Sequence, residues 1–198
     1  MTDRREHAEA GMTVVELTVA IALLGVFIVA ALGTFTSGWR GASDLDRETI
    51  RQAEARDALD ALVADLRQAH TGDAAVPAVS AIASRSITFH SPDRSQPYRV
   101  RRISYRVTAA GALERSVTVS TNTGSPPWTF PGTAGAWVRL ADGVQSGTIF
   151  TARDSAGVVT TTLAAIRRVD IGLSVDVGRE GRTAARRWDV TVNLRSAS

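Results

Sequence analysis

Between Met12 and Trp39 the chain carries one ionisable side chain, Glu16, and residues 17–39 form 23 consecutive uncharged positions. At about 1.5 Å per residue, such a helix is long enough to cross a hydrocarbon core about 30 Å thick. This run therefore predicts a single-pass membrane protein, with everything beyond Trp39 carried as its payload. The lone carboxylate at its entrance is costly, about 2.5–3.5 kcal/mol at a bilayer centre and less towards the interface, so it calls for a partner. An ordinary secretory signal is the competing reading, with Arg4 and Arg5 as its basic region and Ala31-Leu-Gly33 as a small-residue cleavage site. The apolar region of such a signal spans only about 7–15 residues, and it has no use for a carboxylate at its start. Orientation does not follow from charge: Arg4 and Arg5 are offset by Asp3, Glu6 and Glu9, while Arg40, Arg47 and Arg51 lie past the other end.

The stretch Gly11-Met-Thr-Val-Val-Glu16-Leu17 resembles the class III signal of type IV pilins and type II secretion pseudopilins. In that signal a polar leader ends in Gly and Glu stands at position five of the mature chain. The resemblance implies cleavage after Gly11 by a prepilin peptidase and methylation of the new amino terminus at Met12, where the family usually has Phe. It assigns Glu16 to filament assembly. The partners it implies are the peptidase, other pilins or pseudopilins, an inner-membrane assembly platform served by a separate ATPase, and membrane lipid.

The hydrophobic period then divides the chain. Residues 1–11 form the leader and 12–39 the transmembrane helix, with Gly33, Gly38 and Gly41 predicting a bend or local melting at the exit. Over 40–70 an apolar stripe through Leu45, Thr49, Gln52, Leu59, Leu62, Val63, Leu66 and Ala69 predicts an amphipathic helix with Asp57, Asp60, Asp65 and Arg67 off its buried face. If both parts are helical, Met12 to Ala69 make a rod of about 87 Å. Residues 71–84 read as an Ala, Pro and Ser linker. In 85–198 the period changes to two. Ile103, Tyr105 and Val107 lead through the turn at 109–112 to Leu113, Val117 and Val119, and Val169 to Val177 alternate as a partner for Trp188 to Leu194. Shorter strand candidates are 86–89, 137–140 and 148–151.

The predicted class is α+β: a long N-terminal helix packed on antiparallel sheet, which is the pilin-like arrangement. The segment from Arg56 to Ala69, and Tyr105 followed by Leu113-Glu-Arg115, are similar to the corresponding parts of J-type pseudopilins and minor pilins.

Cysteine is absent, so disulfides, thiolate metal sites and a lipid-modified cysteine anchor are excluded. His7, His70 and His90 are scattered without metal-ligand spacing, no phosphate loop follows a strand, and His90-Ser-Pro-Asp93 reads as a turn rather than a triad. The expectation is a non-enzymatic chain with no catalytic residue, metal or cofactor. Residues 121–135 gather turn formers around Trp128 and Phe130. These aromatics are either anchors for a partner or plugs folded back on the sheet edge.

Charge is segregated. Residues 12–84 hold five Arg against nine acids, whereas 85–198 hold sixteen Arg against eight. Arg99, Arg101, Arg102 and Arg106 concentrate the excess, and Arg101 and Arg102 are candidate contacts to the acidic helix stretch of a neighbouring subunit. The alternatives are a DNA-binding minor pilin for uptake and a membrane-anchored binding domain unrelated to filaments. DNA is the less favoured partner, because Tyr105 is the one aromatic residue read near this strand and single-strand binders stack several bases.

Overall fold

The computed structural model describes residues 13–73, 75–94, 97–176 and 184–194, without the side chains of 37–47. Gly11 and Met12 lie outside the described residues, as does Val177. The chain forms two compact units, Met1–Asp46 and Arg47–Ser198.

Helix α1 runs Val14–Arg67. Its helical assignment passes through Gly33, Gly38 and Gly41 without a break, so the predicted melting is not found. Twenty-three of its residues, Val14–Thr36, have a mean hydropathy of 2.6 and none of the span is buried within the protein. That length corresponds to about 35 Å of helix, enough for a single-pass membrane anchor. Hydroxyls within the span are turned onto its own backbone: Thr18 donates to the Val14 carbonyl (2.8 Å), Thr34 to Ala30 (2.9 Å) and Thr36 to Leu32 (3.0 Å). Each of these donors is thus satisfied without water, as a lipid environment requires.

In the second unit the C-terminal part of α1 buries Ala55, Ala58, Leu59, Leu62, Val63 and Leu66 in one core with residues from both sheets. The stripe read from sequence is found from Leu59 onward. Thr49 is exposed and Ala55 and Ala58 are buried instead, because alanine lets helix and sheet approach closely.

The first sheet is a meander of β1 (Val79–Ala83), β2 (Ser86–Asp93), β3 (Arg99–Val107), β4 (Leu113–Val119) and β5 (Trp137–Ala141), in sequence order and antiparallel. The second contains β6 (Phe150–Arg153), β7 (Arg168–Asp176) and β8 (Ala185–Asn193). The sheets abut where the Ser84 carbonyl accepts from the N–H groups of Ile149 (2.7 Å) and Phe150 (3.1 Å). The α+β class is therefore found. The β3–β4 and β7–β8 hairpins have the predicted partners, with Ile103 opposite Val117 and Leu173 opposite Trp188. At the β3–β4 turn Gly111 takes φ of 79°, and a Cβ there would stand 2.8 Å from the Val144 carbonyl oxygen. Only glycine fits both conditions.

Two expectations are corrected. The stretch 71–84 is not simply a linker: its end pairs as β1, with Val79 buried opposite Phe89, an edge strand hidden by its Ala, Pro and Ser surroundings. His90-Ser-Pro-Asp93 is not a turn but the end of β2. Pro92 is tolerated there because β1 pairing stops at Phe89, leaving that part of β2 with β3 alone.

Candidate functional site

Two places hold the residues singled out by sequence, one in each unit. At the start of α1, Thr13 and Glu16 make reciprocal contacts. The Glu16 Oε2 accepts from the Thr13 N–H and hydroxyl (3.2 Å each), and the Glu16 N–H donates to the Thr13 hydroxyl oxygen (3.3 Å). This is a capping box, in which Thr and a Glu three residues later satisfy backbone donors that the first helical turn leaves open. In the sequence Glu16 stands out as a lone carboxylate that calls for a partner. Thr13-Val-Val-Glu16 was the signal that could have shown its local partner.

In the second unit, one end of the first sheet collects the others. The 121–135 loop is pinned to β4: the Ser116 hydroxyl donates to the Gly135 carbonyl (2.7 Å) and the Gly135 N–H to the Thr118 hydroxyl oxygen (2.9 Å). A Cβ on Gly135 would lie 2.1 Å from the Val117 carbonyl oxygen, so no other residue lets the loop approach this strand. Asn122 braces the interior, its amide donating to the Pro127 carbonyl (2.9 Å) and its oxygen accepting from the Thr129 N–H (2.9 Å).

Both loop aromatics turn back onto their own domain and stay half-buried. The Trp128 indole N–H donates to the Thr71 carbonyl just beyond α1 (2.7 Å), and its ring meets Tyr98 edge-on at 5.7 Å. Phe130 covers a face of the sheet, not its edge. Its ring lies 5.4 Å from His90 and 4.9 Å from the Arg102 guanidinium.

Arg101 and Arg102, read as a pair, are separated. Successive residues of a strand point to opposite faces. Arg102 shares its face with His90, Thr118 and Phe130, whereas Arg101 lies on the face of Ile103 and Tyr105, opposite Ser91. The aromatic content of the arginine face also differs from expectation. Tyr105 is fully buried on the other side, while Phe130 stands by Arg102 and Trp137 lies 3.9 Å from the Arg106 guanidinium. Neither aromatic was recoverable from the β3 sequence, since one comes from a loop and the other from β5.

His90 is enclosed between Phe130 and Arg102, and burial lowers its pKa below the usual imidazole value, with the Arg102 charge acting in the same direction and the Pro77 carbonyl opposing both. A histidine neutral in the folded state but free to charge when unfolded makes stability fall as pH drops through and below the unfolded pKa, about 6.5. Urea unfolding at pH 7.5 and 5.5 is expected to show a loss at the lower pH that His90→Gln reduces. An equal loss in the variant would remove His90 as the cause.

Among the described residues, no group of three or more His, Cys, Asp or Glu side chains is placed to hold a metal ion. Comparison with known proteins finds no matching family model, no matching curated protein and no matching solved structure.

Proposed function

We propose that the chain is a filament subunit of the pilin-like class, a minor pilin or J-type pseudopilin. In this reading it is held in the cytoplasmic membrane by Val14–Thr36, with the β domain exported and Glu16 used in docking to neighbouring subunits. The observation that carries the reading is the position of Glu16, four residues after Met12 and at the mouth of a lipid-length span, in a helix whose other end enters an antiparallel α+β core. Exposed Glu54, Asp57 and Asp60 on α1 supply an acidic contact for the Arg102 and Phe130 face of an adjacent subunit. Such complementarity sets register and encounter rate more than affinity. Asp65 is not free for that contact, because it serves its own domain.

A second reading, DNA contact by the arginine face, gains from Phe130 and Trp137 standing beside Arg102 and Arg106. Against it, Glu114 lies 2.8 Å from Arg106 and offsets that charge.

Intact mass of the membrane-extracted protein, expressed with a prepilin peptidase, tests the first reading. The expected product begins at Met12 and carries one methyl group, and Gly11→Val leaves the leader attached. A mature terminus at Thr34 or beyond would instead identify an ordinary secretory signal and overturn the filament assignment.

A further inference from the structure

Buried side-chain nitrogens without a hydrogen-bond partner occur at three atoms among the described residues: His90 Nδ1, Arg99 Nε and Arg101 Nε. His90 lies on the Arg102 face, whereas Arg99 and Arg101 stand together on the other face at the end of the β2–β3 ladder, opposite Asp93 and Ser91. Native proteins leave few such groups, and two on one face call for an explanation such as an ion or ligand.

Every other arginine described in the strands has a partner at its head group. Arg106 pairs with Glu114, Arg115 with Asp65, Arg139 with Asp142, Arg153 with Asp170 and Arg187 with Asp189, while Arg102, Arg168 and Arg186 reach neutral acceptors, the Pro131 carbonyl, the Asn193 side-chain oxygen and the Gln52 side-chain oxygen. Arg99 makes no hydrogen bond, ion pair or ring contact among the described residues, and Arg101 has only two long contacts from Nη2, to the Ser91 hydroxyl oxygen (3.5 Å) and the Pro92 carbonyl (3.3 Å). Both are half-buried, so they forgo part of their hydration without the carboxylate that even the more exposed Arg139 and Arg187 obtain. Two residues apart on one strand, their side chains leave the same face with roots about 7 Å apart.

We propose that Arg99 and Arg101 form a clamp for a tetrahedral oxyanion of the phosphate class. A guanidinium offers Nε and one Nη as a planar fork matched to two oxygens. Two such forks side by side on one strand, with the buried Ser91 hydroxyl opposite Arg101, provide more donors than the two oxygens of a carboxylate use, and suit an anion with three or four acceptor oxygens. In the unliganded protein each Nε is covered by neighbouring protein atoms. Binding therefore involves rotation of both side chains, which brings the two unspent N–H groups onto the anion. Asp93, opposite Arg99, is the carboxylate that opposes anion entry. Arg94, exposed at the end of β2, adds a cation on the approach. The clamp lies on the face of β3 away from Arg102 and does not depend on the filament reading.

The test uses the full chain in detergent micelles, titrated with sodium phosphate against sodium chloride at matched ionic strength and followed by calorimetry. Saturable phosphate binding is expected, with a Kd on the order of 1 mM. It should weaken at least tenfold in Arg99→Gln/Arg101→Gln and tighten severalfold in Asp93→Asn. The Asp93 variant gives a gain of binding that mere loss of fold cannot imitate, and circular dichroism checks the double variant. A linear response equal to chloride, or phosphate binding retained by the double variant, would overturn the clamp. So would a shift with a DNA duplex and none with phosphate, which would mark an extended polyanion surface instead of a single-anion site.

Discussion

Replacing Asp65 by alanine is expected to destabilise the second unit by about 3 kcal/mol, the lower end of the cost of removing one partner from a buried ion pair. Its carboxylate accepts from the Tyr105 hydroxyl (2.7 Å) and from Arg115 Nε (2.8 Å), tying α1 to both β3 and β4. The side chains of Asp65 and Arg115 keep 15% and 30% of their exposure, so solvent offsets part of the penalty. Tyr105 has none, and its phenol would lose the carboxylate to which it donates. Urea unfolding at neutral pH measures the effect. A change under about 1 kcal/mol would mean that water replaces the carboxylate and that the network contributes little. The same triad fixes an alkaline limit. Burial, followed by the Asp65 charge, holds the Tyr105 phenol protonated well above its ordinary range. A raised folded pKa contributes stability that is complete below the unfolded value, about 10, and is lost as pH rises beyond it. The wild type should therefore weaken above about pH 10, and Tyr105→Phe should weaken less steeply there.

Glu16→Ala and Glu16→Gln are expected to separate two uses of one side chain. Glutamine can take the same place in a capping box, whereas alanine cannot, so cap loss at about 1 kcal/mol belongs to the alanine variant alone. If docking into a filament uses the negative charge, as proposed, both variants should be cleaved and inserted but fall at least tenfold in co-purification with partner pilins. Normal incorporation of Glu16→Gln beside poor incorporation of Glu16→Ala would reduce Glu16 to a helix cap and withdraw its role in docking. Normal incorporation of both would leave the carboxylate with no part in assembly.

The elements legible in the sequence were those whose pattern is carried by one segment. The Val14–Thr36 span, the Leu59 to Leu66 stripe and the alternation of β7 each declare themselves within about ten to twenty residues. What escaped was created by segments meeting. β1 is a strand because β2 lies beside it, and its own five residues, Val-Ser-Ala-Ile-Ala, carry little alternation. Asp65 looked like a solvated charge from its helix position, and only Tyr105 and Arg115, forty and fifty residues later, give it a reason to turn inward. At the candidate site the residue types were flagged but not their grouping. Arg101 and Arg102 are neighbours in sequence yet serve opposite faces, and the partner of Arg102 is an aromatic from a loop.

The threonines of the membrane-length span carry a further consequence. With Thr18, Thr34 and Thr36 each donating to a carbonyl of their own helix, those hydroxyl protons are spent inward. From Val14 to Thr36 the flank is a smooth apolar shaft with a single charged notch, at Glu16. A helix of this kind can slide or turn against lipid or another apolar helix at little cost, since no lateral polar contact must be broken at each step. If Glu16 docks to a neighbouring subunit as proposed, it would fix the axial position at one level, with the remaining surface acting as a bearing and not as a ruler.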